Sequence, residues 1–177
     1  MNRLYTLSAF TENSIGLLNK ITIIFTRRRL NIESLSVSET ERKGISRFTI
    51  VLKSDRETVE KLVKQIRKII EVLAVFGYEE EDVVANELAF YKVPAESVAR
   101  TNDFNTLITK HEVKQLFDGK QYIIVEKAGT EKEIHALFTD LKPFGIMEFV
   151  RSGRISLAKN EKGLSTYLPQ TEWEYNI

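Results

Sequence analysis

No cysteine occurs anywhere in the 177 residues. That absence removes disulfides, thiolate zinc sites, iron–sulfur clusters and a cysteine nucleophile together. Histidine is scarce: only His111 and His135 are present, in different predicted elements, whereas a nitrogen-ligated metal site would need three or four ligands. Surplus charge is missing too, because 26 Lys and Arg stand against 25 Asp and Glu, leaving a net +1. Without a positive field there is no basis for nonspecific nucleic-acid binding, so no nucleic-acid partner is expected. No apolar run approaches the ~18 residues of a membrane span, and the opening MNRLYTLSAFTENS is too interrupted for a signal peptide. A cytoplasmic protein with no membrane partner is the expectation. The eight glycines are spread singly, with neither a Walker loop nor a GxGxxG among them. No metal site, catalytic residue or cofactor is expected in this chain, and an enzyme is not.

What is present is a chain 42% apolar, ample for packed cores. Residues 3–10 (RLYTLSAF) read as a strand bounded by the polar cluster Thr11-Glu12-Asn13-Ser14. From Leu17 the apolar residues Leu17, Leu18, Ile21, Ile24 and Phe25 form the stripe of a helix with one buried face, ending near Arg28. Ile32, Leu35 and Val37 begin a second strand, and residues 46–53, after the Lys43-Gly44 turn, a third. Ser54-Asp55-Arg56-Glu57 has capping-box spacing ahead of a helix through Val59, Leu62, Val63 and Ile66. Residues 72–76 make a fourth strand, broken by Gly77 and the acids Glu79 to Asp82.

The order is βαββαβ, the ferredoxin-like split arrangement with helices on one face of an antiparallel sheet. The second half repeats it more loosely. Its strand at 88–93 precedes a helix late in 95–109, a hairpin at 113–117 and 122–125, a helix opened by the Thr130–Glu133 capping box, and a strand at 146–150. The fold class is therefore α+β, two ferredoxin-like domains. The expected organisation is a first domain at 1–78, an acidic linker at 79–86, a second domain at 87–160 and a tail at 161–177. The tail carries Trp173 without any period, as an arm docking on a neighbour or a loose end. Units of roughly 75 to 80 residues bury a low fraction of their surface, so pairing between copies is expected.

One stretch offers a binding site. In ENSIGLLNKITIIFTRRRLNIE, at 12–33, asparagines stand at both ends of the helix. Helix N-termini present unpaired N–H groups and partial positive charge, which suit a carboxylate, and Gly16 allows close backbone approach. Asn13 or Asn31 supplies both donor and acceptor for an α-ammonium and an α-carboxylate, with Ile15, Leu17, Leu18 and Ile32 as apolar wall. That describes a pocket for a small aliphatic amino acid. The plainer alternative makes Asn13 or Ser14 an N-cap and Asn31 a turn residue.

The segment LSAFTENSIGLLNKITIIFTRRRLNIESLSVSET closely resembles the opening of the ACT domain in the small subunit of acetolactate synthase (acetohydroxyacid synthase). The hallmarks are Glu12-Asn13-Ser14-Ile15-Gly16 and Asn31-Ile32-Glu33-Ser34-Leu35, and VRSGRISLAKN at 150–160 is similar to the family's R-[ST]-G-R segment. The resemblance implies a noncatalytic regulatory chain of a transferase complex in branched-chain amino-acid biosynthesis. Such a chain binds the catalytic large subunit, which carries thiamine diphosphate, magnesium and FAD, raises its activity and confers feedback inhibition by valine, or by leucine or isoleucine. It implies a homodimer through the ACT domains, with valine between Asn13, Gly16 and the backbone of residues 15–18 of one protomer and Asn31 and Ile32 of the other. A stand-alone ACT regulator of another enzyme or of a transcription factor is the second reading. Two departures flank the site: Ile15 replaces a frequent Pro, and Arg29 stands where the family usually has Gly, so Arg must make a left-handed helix end at a cost of roughly 1 kcal/mol. The run Arg27-Arg28-Arg29 complements the helix C-terminus.

Overall fold

The computed structural model describes residues 3–99 and 103–160, so the tail expected at 161–177 lies outside it. Of the described residues, 3–84 together with 154–160 form one compact unit, and those within 85–153 the other.

The first unit is a four-stranded antiparallel sheet in the order β2-β3-β1-β4, made of β1 (Arg3–Glu12), β2 (Ser34–Glu39), β3 (Ile45–Ser54) and β4 (Val72–Glu79). Helices α1 (Leu17–Arg27) and α2 (Arg56–Ile66) complete it. Strand alternation sorts its residues into two faces. One carries the cross-strand rows Leu35-Ile50-Leu7 and Val37-Phe48-Ala9, and Leu7, Ile50 and Leu52 there are wholly buried with Ile21, Leu62 and Ile66 of the helices. The other carries Ser34-Val51-Thr6, Ser36-Thr49-Ser8 and Ser38-Arg47-Phe10, a polar face.

Helix α1 buries Leu17, Ile21, Ile24 and Phe25, the expected stripe without Leu18, which flanks it and is half exposed. The helix closes as a Schellman motif: Leu30 N–H donates to Phe25 O, Arg29 N–H to Thr26 O, and Arg29 takes φ 55°. The left-handed end expected at Arg29 is present. No capping box forms at Ser54, which still belongs to β3; the N-cap is Asp55, whose carboxylate accepts from Thr58 N–H at 2.8 Å. Gly77 does not end β4. It lies within the strand, where a Cβ would come to 3.1 Å from Val59 Cγ1, so the missing side chain is what lets α2 lie close.

The second unit repeats the topology, with β5 (Val83–Pro94), α3 (Ala95–Ala99), α4 (Asp103–Lys110), β6 (Lys114–Asp118), β7 (Tyr122–Gly129), α5 (Glu131–Leu141) and β8 (Glu148–Arg151). Its order β6-β7-β5-β8 matches that of the first sheet. Thr130 caps α5 as expected, its N–H donating to Glu133 Oε2 at 2.7 Å. Tyr91 sits in this core and donates its hydroxyl to Ile134 O at 2.7 Å, and burial pushes its phenol up to about 12. Both sheets thus carry helices on one face, the ferredoxin-like arrangement.

The boundary between the domains differs from expectation in one respect. The acidic stretch is largely exposed but takes regular structure: Glu79 ends β4, Glu80–Asp82 is a 3-10 turn closed by its own capping box, and β5 begins at Val83. Two of the acids pair with arginines, Glu79 with Arg3 and Glu80 with Arg154. The segment from Arg154 forms β9 (Ile155–Ala158), which pairs with β5, and it also contacts the first unit, with Arg47 donating to Ser156 O at 2.5 Å and Lys159 N–H to Asp82 O at 2.8 Å.

Candidate functional site

The turn between β1 and α1 is held from the backbone. Asn13 N–H donates to Gly44 O at 2.8 Å and Glu12 N–H to Glu71 O at 2.9 Å, so the tip of the β2–β3 hairpin and the residue before β4 fix it from two sides. Neither Asn13 nor Ser14 caps the helix. The N-cap is Gly16 at φ 84°, no side chain bonds the first helical turn, and that turn contains no acid. Leu17 N–H donates to Ser14 O at 3.4 Å, and a helix start with no side-chain cap and no acid of its own leaves its following N–H groups and its share of positive potential for an anion. Nothing lies within 4 Å of where a Gly16 Cβ would stand, so the space beside this N-terminus is open.

The remaining expected residues divide by burial. Ile15 is fully exposed and Leu18 half exposed, available as apolar wall. Leu17 is buried in the core at 2% exposure, which leaves only its backbone to a ligand. Ile32 is partly buried against the core. The Asn31 side chain is exposed, with its amide 3.3 Å from Glu33 Oε1, and Glu33 N–H donates to Val51 O at 2.8 Å just beyond it.

Strand register separates the two asparagines. Ser34, three residues after Asn31, pairs with Val51, and Val51 pairs with Thr6 of β1. From Thr6, β1 runs six more residues to Glu12, about 20 Å at ~3.3 Å per residue, before the turn that carries Asn13. The two asparagines therefore stand at opposite ends of α1. Clefts of about 540 Å³ along α2 and β4 and about 630 Å³ between α4 and α5 contain none of the expected residues.

Sequence reasoning missed Glu39, whose Oε1 accepts from Asn13 Nδ2 at 2.7 Å. It also missed Gly44 as the backbone anchor of Asn13. Neither carries a local signal, since each reaches Asn13 only through the hairpin. The histidines are structural. His111 Nε2 lies 2.8 Å from Asp140 Oδ2, His135 stacks on Phe138, and no group of residues suited to a metal ion occurs among the described residues.

A βαββαβ unit whose strand-to-helix turn leaves a helix N-terminus open beside a glycine, and whose helix returns through an exposed asparagine, defines an ACT domain. Comparison with known proteins agrees. Residues 7–74 match the AHAS small subunit-like ACT domain, and residues 86–160 match the family described as small subunit of acetolactate synthase. The chain is 38% identical over 160 residues to the acetolactate synthase small subunit of Bacillus subtilis, covering 90% of this chain and 91% of the relative. It is 33% identical over 160 residues to that of Mycolicibacterium smegmatis, covering 90% and 94%. The crystal structure of the acetolactate synthase small subunit from Thermotoga maritima superposes with a TM-score of 0.82 at 27% identity, covering 90% of this chain and 99% of that one. The chain belongs to the acetolactate synthase small-subunit family.

Proposed function

We propose that this chain is the noncatalytic regulatory subunit of a cytoplasmic acetolactate synthase. It binds and activates the catalytic large subunit, the carrier of thiamine diphosphate, magnesium and FAD, and subjects it to feedback inhibition by valine or by leucine or isoleucine. The effector lies between two ACT domains of a homodimer, Asn13, Gly16 and the backbone of residues 15–18 of one copy facing Asn31 and Ile32 of the other. Its carboxylate takes the free N-terminus of α1, and its side chain meets Ile15 and Leu18. The observation that carries this reading is the pairing of an uncapped, acid-free helix start at Gly16 with an exposed Asn31 at the other end of α1, a separation that a second copy would close.

The test is to titrate the chain into the matching large subunit and follow acetolactate formation from pyruvate with and without valine. Activation that valine reverses is expected. Activation without any branched-chain effect would keep the partner and remove the effector site. No change in rate would leave the second reading, an ACT regulator of another protein, which the absence of a co-purifying thiamine-dependent subunit would favour.

A further inference from the structure

The two motifs by which the sequence resembles its family, 120 residues apart, meet in the structure. Ser34, in the Asn31-Ile32-Glu33-Ser34-Leu35 hallmark, accepts a hydrogen bond on its hydroxyl from the backbone N–H of Arg154 at 2.9 Å, and Arg154 closes the Arg151-Ser152-Gly153-Arg154 segment.

We propose that Arg154 and Ser34 are positioning residues for the effector half-site at Asn31 and Ile32; this rests on the effector reading above. Asn31 and Ile32 belong to neither helix nor strand. Behind them the chain is tied by Leu30 N–H to Phe25 O, and ahead by Glu33 N–H to Val51 O. The next residue, Ser34, heads β2, and β2 is an edge strand with β3 as its one neighbour in the sheet. An edge strand paired on one flank frays at its head, so a bond to the Ser34 side chain restrains the stretch that carries Asn31.

Arg154 can supply that restraint because it is itself fixed. It is 5% exposed, and its guanidinium donates to Glu80 Oε2 at 2.7 Å. The chain just after it is held by Arg47, whose guanidinium donates to Ser156 O and to Ser8 Oγ, and by Lys159 N–H on Asp82 O. All these partners belong to the first unit, while Gly153, immediately before, belongs to the second. The half-site is thus braced at the residue where the chain passes from one unit to the other.

The experiment compares full-length wild type with Ser34→Ala, Ser34→Thr and Glu80→Gln. Amide hydrogen exchange across residues 30–34 of the effector-free chain reports positioning, and calorimetry with valine, leucine and isoleucine reports the site. Ser34→Ala is expected to speed exchange at 31–33 at least tenfold and to weaken effector binding about five- to tenfold. Ser34→Thr, which keeps the hydroxyl, restores both, and Glu80→Gln gives a smaller change in the same direction. Unchanged exchange in Ser34→Ala overturns the positioning role. Faster exchange with wild-type affinity overturns its link to the effector. Equal losses in Ser34→Ala and Ser34→Thr, in step with a lowered melting temperature, would reduce the bond to a structural one and overturn the proposal. A wild-type chain that binds none of the three amino acids removes the effector reading itself, and this inference about its half-site falls with it.

Discussion

The Asn13 side-chain amide donates to Glu39 Oε1 at 2.7 Å, joining the turn after β1 to the last residue of β2. The Asn13 amide is thus engaged by a carboxylate of the protein itself. Glu39 competes for the amide and adds negative charge beside the open N-terminus of α1. Glu39→Ala is expected to tighten binding of a branched-chain amino acid about three- to tenfold, in line with ~1 kcal/mol for one hydrogen bond. Isothermal titration of the variant against wild type is the check, and weaker binding would make Glu39 a partner of the ligand's ammonium instead.

The separation of the half-sites predicts complementation. Asn13→Ala and Asn31→Ala are each expected to abolish valine inhibition as homodimers while still associating with the large subunit. A mixed dimer of the two variants keeps one site with both asparagines intact, because Asn13 of the second variant meets Asn31 of the first. Valine binding at half the wild-type stoichiometry is expected for the isolated heterodimer. No recovery would mean that a single copy supplies both groups.

Arg29 holds φ 55° at the end of α1. A residue with a Cβ is strained there by about 1 kcal/mol, which glycine avoids. Arg29→Gly is expected to raise the stability of the first unit by up to that amount, read as a higher urea midpoint at unchanged slope. A lower midpoint would show that the positive charge at the helix C-terminus outweighs the backbone strain.

Asp140 accepts from Lys110 Nζ and lies 2.8 Å from His111 Nε2, and these hydrogen bonds, that from Lys110 first, hold its carboxyl below the usual aspartate range. A carboxyl depressed in the folded state contributes stability that is present above its unfolded value, near 3.9, and is lost as pH falls through its folded value. Asp140→Asn is therefore expected to lower stability at pH 7 by a modest amount, since the pair is partly exposed. The gap between variant and wild type should shrink steadily as pH falls below 4. Chemical denaturation across that range is the check, and a gap independent of pH would assign the loss to packing.

The elements read correctly from the sequence are those whose cause lies within a few residues. The α1 stripe needs only a 3.6-residue period and the cap at Thr130 only a Glu three positions on, whereas the left-handed end at Arg29 follows from the resemblance, the family usually having Gly there. Errors of a residue or two arose where a local signal had a competitor, as at Ser54, which β3 claimed before α2 could. Gly77 looked like a strand breaker because its reason for being there, the closeness of Val59 on α2, is not local.

What the sequence alone determined is thus the secondary structure, its repeated βαββαβ order and the two ends of α1 as the place to look for a ligand, because hydrophobic period, capping and turn chemistry act over one or two turns of chain. What only the tertiary structure decided is register and return. Pairing Ser34 with Val51 and Val51 with Thr6 sets Asn13 and Asn31 far apart. The ties of Arg47 to Ser156 and of Arg154 to Ser34 and Glu80 carry the chain's described end back to the first unit. Those contacts span up to 120 residues and are made by ordinary serines and arginines, so no pattern along the chain distinguishes them from surface residues until the sheet brings them together.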